Sequence, residues 1–109
     1  MLTTGSIIGI LGGGQLARML AAAASRMGYK THIYDPNPDA PAFDVASLRT
    51  IGSFQDRGRL KQFAKKIDLV TFEFENVPDS TLDEIGNLVS VFPPKNALSI
   101  SQDLSLIHI

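Results

Sequence analysis

Residues 6–24, SIIGILGGGQLARMLAAAA, decide the fold. Ile7, Ile8, Ile10 and Leu11 make a nearly continuous apolar run, the pattern of a parallel strand covered on both faces. Gly12, Gly13 and Gly14 then allow a turn through dihedrals closed to other residues and leave main-chain N–H groups uncovered by side chains. From Gln15 onward, Leu16, Met19, Leu20, Ala23, Ala24 and Met27 follow helical spacing, so a helix begins where the glycines end. The first turn of a helix has unpaired donors and the positive end of the helix dipole. This strand–turn–helix junction is therefore a candidate anion site, most simply for a phosphate.

Outward from this unit, Gly28 stands where a helix C-terminal glycine belongs, and Lys30 to Tyr34 is a short β-prone run ending at Asp35. Pro36, Pro38 and Pro41 predict an irregular surface loop after it. Leu48 to Ile51 reads as a third strand. Ser53 with Asp56 resembles a capping arrangement for a helix whose apolar face is Leu60, Phe63, Ala64 and Ile67 and whose solvated face carries Lys61, Lys65 and Lys66. Leu69 to Phe72 is a fourth strand that runs into Glu73, Phe74, Glu75 and Asn76 before Pro78 ends it. Asp79 or Ser80 can cap a helix through Leu82, Ile85 and Leu88, and Val89 to Phe92 reads as a fifth strand. Strands alternating with helices at short intervals predict an α/β, Rossmann-like open parallel sheet with helices on both faces.

The chain has 109 residues, 44 % of them hydrophobic, which suits one domain. Ten basic and eleven acidic residues give a net charge of −1 without a basic stripe, so nucleic acid is not an expected partner. The absence of cysteine excludes disulfides and thiolate metal sites and is compatible with a cytoplasmic location. No signal-like leader or membrane-length apolar run is visible, so no membrane is expected. There is no metal-ligand spacing, no Ser/His/Asp set and no P-loop. His32 reads as a surface or packed histidine, and Asp39, Asp44, Asp56 and Asp68 as loop or cap residues. Phe43, Phe54, Phe63 and Phe92 read as core.

Two ligand readings meet at the glycine turn. Gly12, Gly14 and Ala17 fit G-x-G-x-x-A, and Asp35 lies where a dinucleotide fold places its ribose-binding acid, which favours NAD or a flavin. Against this, Gln15 can aim an amide into the same cleft, and Glu73, Glu75 and Asn76 cluster at the end of the fourth strand, on the sheet edge where ligands bind. A carboxylate facing a phosphate site is suited to accept hydrogen bonds from sugar hydroxyls. The plain alternatives are a turn that serves only helix packing, and glutamates that are solvated or cap the next turn.

Four strings in order, IIGILGGGQLARMLAAAASRMGYK, YDPNPDAPA, DLVTFEFENVP and VFPPKNALSISQD, give the chain a close resemblance over residues 6–103 to the N-terminal domain of the N5-carboxyaminoimidazole ribonucleotide synthetase family, ATP-grasp ligases of purine biosynthesis. The resemblance implies an enzyme that uses ATP and Mg²⁺ to activate bicarbonate and transfers the carboxylate to the exocyclic amine of 5-aminoimidazole ribonucleotide. It implies that this first domain, residues 1–103, holds the ribonucleotide. Gly13, Gly14, Gln15 and Leu16 would receive the 5′-phosphate side, and Glu73, with Asn76 nearby, would meet the ribose, Glu75 being the second candidate acid and the one better suited to a solvated or capping place. ATP and Mg²⁺ would sit in further domains, so this chain alone should bind weakly, if at all, and should not catalyse; the full-length family implies a cytoplasmic homodimer. Ala17 departs from the glycine that many relatives carry there. The final LSLIHI, residues 104–109, departs altogether and matches the translation of a transposase adapter used in sequencing libraries, so it is expected to be a non-native tail. A formate-dependent glycinamide ribonucleotide transformylase is the second enzyme resemblance, disfavoured by Gln15 and EFEN. A stand-alone NAD-binding or nucleotide-sensing module and an aggregation-prone truncated fragment are the alternatives of other classes.

Overall fold

The computed structural model describes residues 5–72 and 77–91. The stretch 73–76 and the segment 92–109, and with them the expected roles of Glu73, Glu75, Asn76, Phe92 and the tail, lie outside the described residues. The elements in chain order are β1 (Ile7–Leu11), α1 (Gln15–Arg26), β2 (Lys30–Asp35), a 3₁₀ turn (Pro41–Asp44), β3 (Leu48–Ile51), α2 (Arg57–Ala64), β4 (Leu69–Phe72) and α3 (Asp79–Gly86). The four strands form one sheet in the order β3-β2-β1-β4. Every pairing is parallel, with Ile10 opposite Ile33 on one side and Thr71 on the other.

Parallel strands cannot be joined by hairpins, so α1 connects β1 to β2 and α2 connects β3 to β4, with only the 3₁₀ turn between β2 and β3, and the inner strands are apolar on both faces. Strand alternation sends Ile8, Ile10 and Ile33 to one face, where they pack with Leu69 against Ala17, Leu20, Ala21 and Ala24 of α1. Leu11, Tyr34, Val70 and Phe72 face the other way, against Leu60 and Phe63 of α2 and Ile85 of α3. Small alanines on the buried stripe of α1 let its backbone lie close to the sheet.

Several local expectations are adjusted. The loop after β2 is not wholly irregular: Pro41 opens a 3₁₀ turn, a position that suits its fixed φ and missing donor, and Ala42 and Phe43 enter the core. Asp56 caps α2, accepting from Arg59 N at 3.1 Å, whereas Ser53 Oγ only accepts from Gln55 N in the preceding turn. Helix α2 stops at Ala64, so Ile67 packs from the connecting turn. Pro78 is the N-cap of α3 and no side chain caps that helix; Asp79 lies inside its first turn, where its charge complements the helix dipole. Leu88 lies past α3 and is exposed. Of the expected fifth strand, the described residues contain a single parallel bridge from Val91 to Val70. The three lysines of α2 and its following turn are exposed, as a solvated face requires. Among the described residues, no helix is long and apolar enough to cross a membrane.

Candidate ligand cleft at the strand ends

All four strands run the same way, so the ends of β1 and β2 and the head of α1 share one edge. At this edge Gly12 adopts φ 98°, a conformation that side-chain-bearing residues rarely take, and its N–H extends the ladder to Tyr34 O at 2.8 Å. Gly13 is enclosed: a Cβ placed on it would stand 2.7 Å from Ala40 Cβ and 3.3 Å from Asp35 Cβ. Its carbonyl accepts from Ala42 N at 2.8 Å, so the 3₁₀ turn docks directly on the glycine turn. Gly14 is the N-cap of α1 and offers no side chain to bond the helix head, which leaves Gln15 and Leu16 at the exposed positive end of a 12-residue helix. Gln15 is exposed at the helix head, and Leu16 packs against the α1 face of the core.

The carboxylate of Asp35, on the cleft wall, is turned onto the chain's own backbone. Its Oδ2 accepts from Gly13 N at 2.7 Å and its Oδ1 from Asn37 N at 2.8 Å. Of the turn residues expected to meet a phosphate, Gly13 thus gives its N–H to a carboxylate of the same chain, while Gly14, Gln15 and Leu16 stand at the helix head. Beside them is an open cleft of about 380 Å³, lined by Gly13, Gly14, Asp35, Asn37, Pro41 and Phe54 among others. Phe54, expected in the core, is half-buried: it lies 5.9 Å from the Tyr34 ring and also forms part of the cleft wall. Tyr34 Oη donates to Ser53 O at 2.5 Å, and burial, with Asp56 nearby, pushes its hydroxyl up to about 12 despite the opposing charge of Arg59, so the phenol stays a neutral donor.

Two of the other acidic candidates, Asp56 and Asp68, have structural partners. Asp68 Oδ2 accepts from Ile7 N at 2.8 Å and Asp56 caps α2. Among the described residues no group of three or more His, Asp or Glu could hold a metal ion. Sequence reasoning passed over Asn37, Ala40, Pro41 and the wall position of Phe54, because their part in the cleft comes from the docking of the 3₁₀ turn rather than from a motif.

Residues 5–102 match the ribonucleotide synthetase preATP-grasp domain family. The chain is similar to an N5-carboxyaminoimidazole ribonucleotide synthase of Brucella melitensis, 48 % identical over 94 % of this chain and 28 % of that protein. It is also similar to a bifunctional purine synthesis protein of Dictyostelium discoideum, 46 % identical over 94 % of this chain and 10 % of the relative. Among solved structures, the N5-carboxyaminoimidazole ribonucleotide synthetase of Thermus thermophilus superposes with a TM-score of 0.74 at 44 % identity, over 85 % of this chain and 26 % of that one. The Aspergillus clavatus N5-carboxyaminoimidazole synthase, solved with ADP and 5-aminoimidazole ribonucleotide, superposes with a TM-score of 0.70 at 31 % identity, over 92 % and 28 % of the two chains. The chain thus spans 28 % or less of the length of these relatives.

Proposed function

We propose, from the premise that this chain belongs to the ribonucleotide synthetase preATP-grasp domain family, that it is the ribonucleotide-holding domain of an ATP-dependent ligase that carboxylates 5-aminoimidazole ribonucleotide with bicarbonate in purine biosynthesis. The observation that carries the reading is the match over residues 5–102, with the glycine turn at the ligand edge of the sheet. The likeness to a synthase solved with the ribonucleotide supports the substrate class.

On this reading the 5′-phosphate meets the N–H groups of Gly14, Gln15 and Leu16 and the positive end of α1, with Gly13 shaping the turn beneath them. The Gln15 amide closes the mouth as a neutral donor that adds no charge repulsion. Glu73, Glu75 and Asn76, which follow β4, are assigned to the ribose: an ionised carboxylate accepts from hydroxyls, and an amide both donates and accepts. These residues bind and orient. Their chemical contribution is to present the exocyclic amine to an activated carboxylate formed elsewhere in the enzyme. ATP supplies the activation, and Mg²⁺ accompanies it. The described residues do not fit Mg²⁺, so both are assigned to the further length that the relatives carry, and the chain alone binds without turning over. The resemblance extends the reading to a cytoplasmic homodimer.

Calorimetric titration of the chain with 5-aminoimidazole ribonucleotide and with its dephosphorylated riboside tests the role of the helix head. Charge-assisted bonds to the phosphate predict at least about tenfold tighter binding of the ribonucleotide. Equal affinities would contradict it.

A further inference from the structure

We infer that Asp35 is a positioning residue that locks the glycine turn and confines its anion site to a single phosphomonoester, excluding the pyrophosphate of a dinucleotide. The inference rests on the ribonucleotide reading of the cleft. In a dinucleotide-binding fold the acid at the end of the second strand faces the cofactor ribose. Here Asp35 occupies that place in the chain, yet one oxygen takes Gly13 N at 2.7 Å and the other takes Asn37 N at 2.8 Å. Both polar groups of Gly13 are then held inside the chain, since its carbonyl already accepts from Ala42 N at 2.8 Å. Ala40 Cβ lies 2.7 Å from where a Gly13 Cβ would stand, so the turn is closely packed there and open only to glycine.

Two consequences follow from the chemistry. The Gly13 N–H is withdrawn from any ligand, so an anion can use only the donors at the head of α1. The carboxylate also places a fixed negative charge beside the turn, on the cleft wall it shares with Gly13 and Gly14. A lone phosphate at the helix head keeps its distance from that charge. A pyrophosphate, which must spread over the turn, meets it.

Three forms of the 109-residue chain separate the parts of this inference: wild type, Asp35→Asn and Asp35→Ala. Asparagine keeps one acceptor oxygen, enough for Gly13 N–H but not for Asn37 N–H as well, and removes the charge; alanine removes charge and acceptors alike. Amide exchange of Gly13 is expected to accelerate about tenfold or more in Asp35→Ala and to stay within about threefold of wild type in Asp35→Asn, the bond being one to a charged group. Ribonucleotide affinity should fall about tenfold in Asp35→Ala and be retained in Asp35→Asn. Inorganic pyrophosphate should bind Asp35→Asn about fivefold more tightly than wild type, a gain that a purely structural residue would not produce. Equal Gly13 exchange in all three forms overturns the lock, and equal pyrophosphate affinity in wild type and Asp35→Asn overturns the exclusion. If wild type ignores the ribonucleotide while Gly13 exchange and pyrophosphate binding respond as expected, the lock and exclusion stand and the proposed function fails.

Discussion

His32 lies in β2 with only 2 % of its surface exposed, its Nε2 2.6 Å from Thr50 Oγ1 and its ring edge-on to Phe63 at 4.9 Å. Burial, reinforced by the charge of Lys66, lowers its pKa from 6.5 to about 4. The unfolded chain therefore binds a proton at a pH where the folded chain does not. Between pH 6.5 and about 4 the unfolded state is favoured progressively as acid is added, by on the order of 3 kcal/mol across the window. Urea midpoints measured at pH 7 and pH 4.5 should fall more steeply for wild type than for His32→Leu, and identical slopes would contradict the assignment. In sequence His32 could be read only as surface or packed, because its partner Thr50 belongs to a neighbouring strand. The turn of Asp35 onto the backbone was hidden for the same reason: its acceptor role joins residues 22 positions apart.

Helix α2 shows how an element is held. Phe63 lies in contact with the rings of both His32 and Tyr34, the latter at 5.4 Å, and is 1 % exposed. Truncation to alanine removes that aromatic packing and leaves a cavity that the stiff parallel strands cannot close. Phe63→Ala should cost about 3–5 kcal/mol, a large share of the roughly 5–15 kcal/mol by which a domain is stable. Urea unfolding would register it as a lower midpoint at unchanged slope. A loss below about 1 kcal/mol would mean that α2 does not bear on the sheet as described. The helical period of Leu60, Phe63 and Ala64 made this face legible from the sequence, and the apolar runs of β1 and β4 were equally plain. Period alone could not place the end of α2 before Ile67, since a residue in the next turn can reach the same core. Nor could the prolines after Asp35 reveal that Pro41 starts a 3₁₀ turn, whose docking depends on the Gly13 carbonyl.

For the whole molecule, strand alternation and one glycine-to-helix junction were enough to specify a parallel sheet, because parallel strands with short helical links admit few arrangements. The location of the cleft was legible on the same grounds. What the sequence left open was the division of labour in it: two ligand readings shared the glycine turn, and only the geometry shows Asp35 committed to the chain's own N–H groups. Met19 on α1 is 62 % exposed and Leu48 and Ile51 on the edge strand 44 % and 39 %, and Ile51, paired with Asp35, stands at the same strand-end edge as the glycine turn. Ligand-induced changes are expected at the strand ends, where the cleft residues Gly13, Gly14 and Asp35 lie. The most direct measurement is an amide NMR titration of the chain with 5-aminoimidazole ribonucleotide, with NAD in parallel. Shifts at Gly14 to Leu16 and at Glu73 to Asn76 with the ribonucleotide alone are predicted; shifts with NAD alone, centred on Gly12 and Asp35, would contradict the ribonucleotide reading.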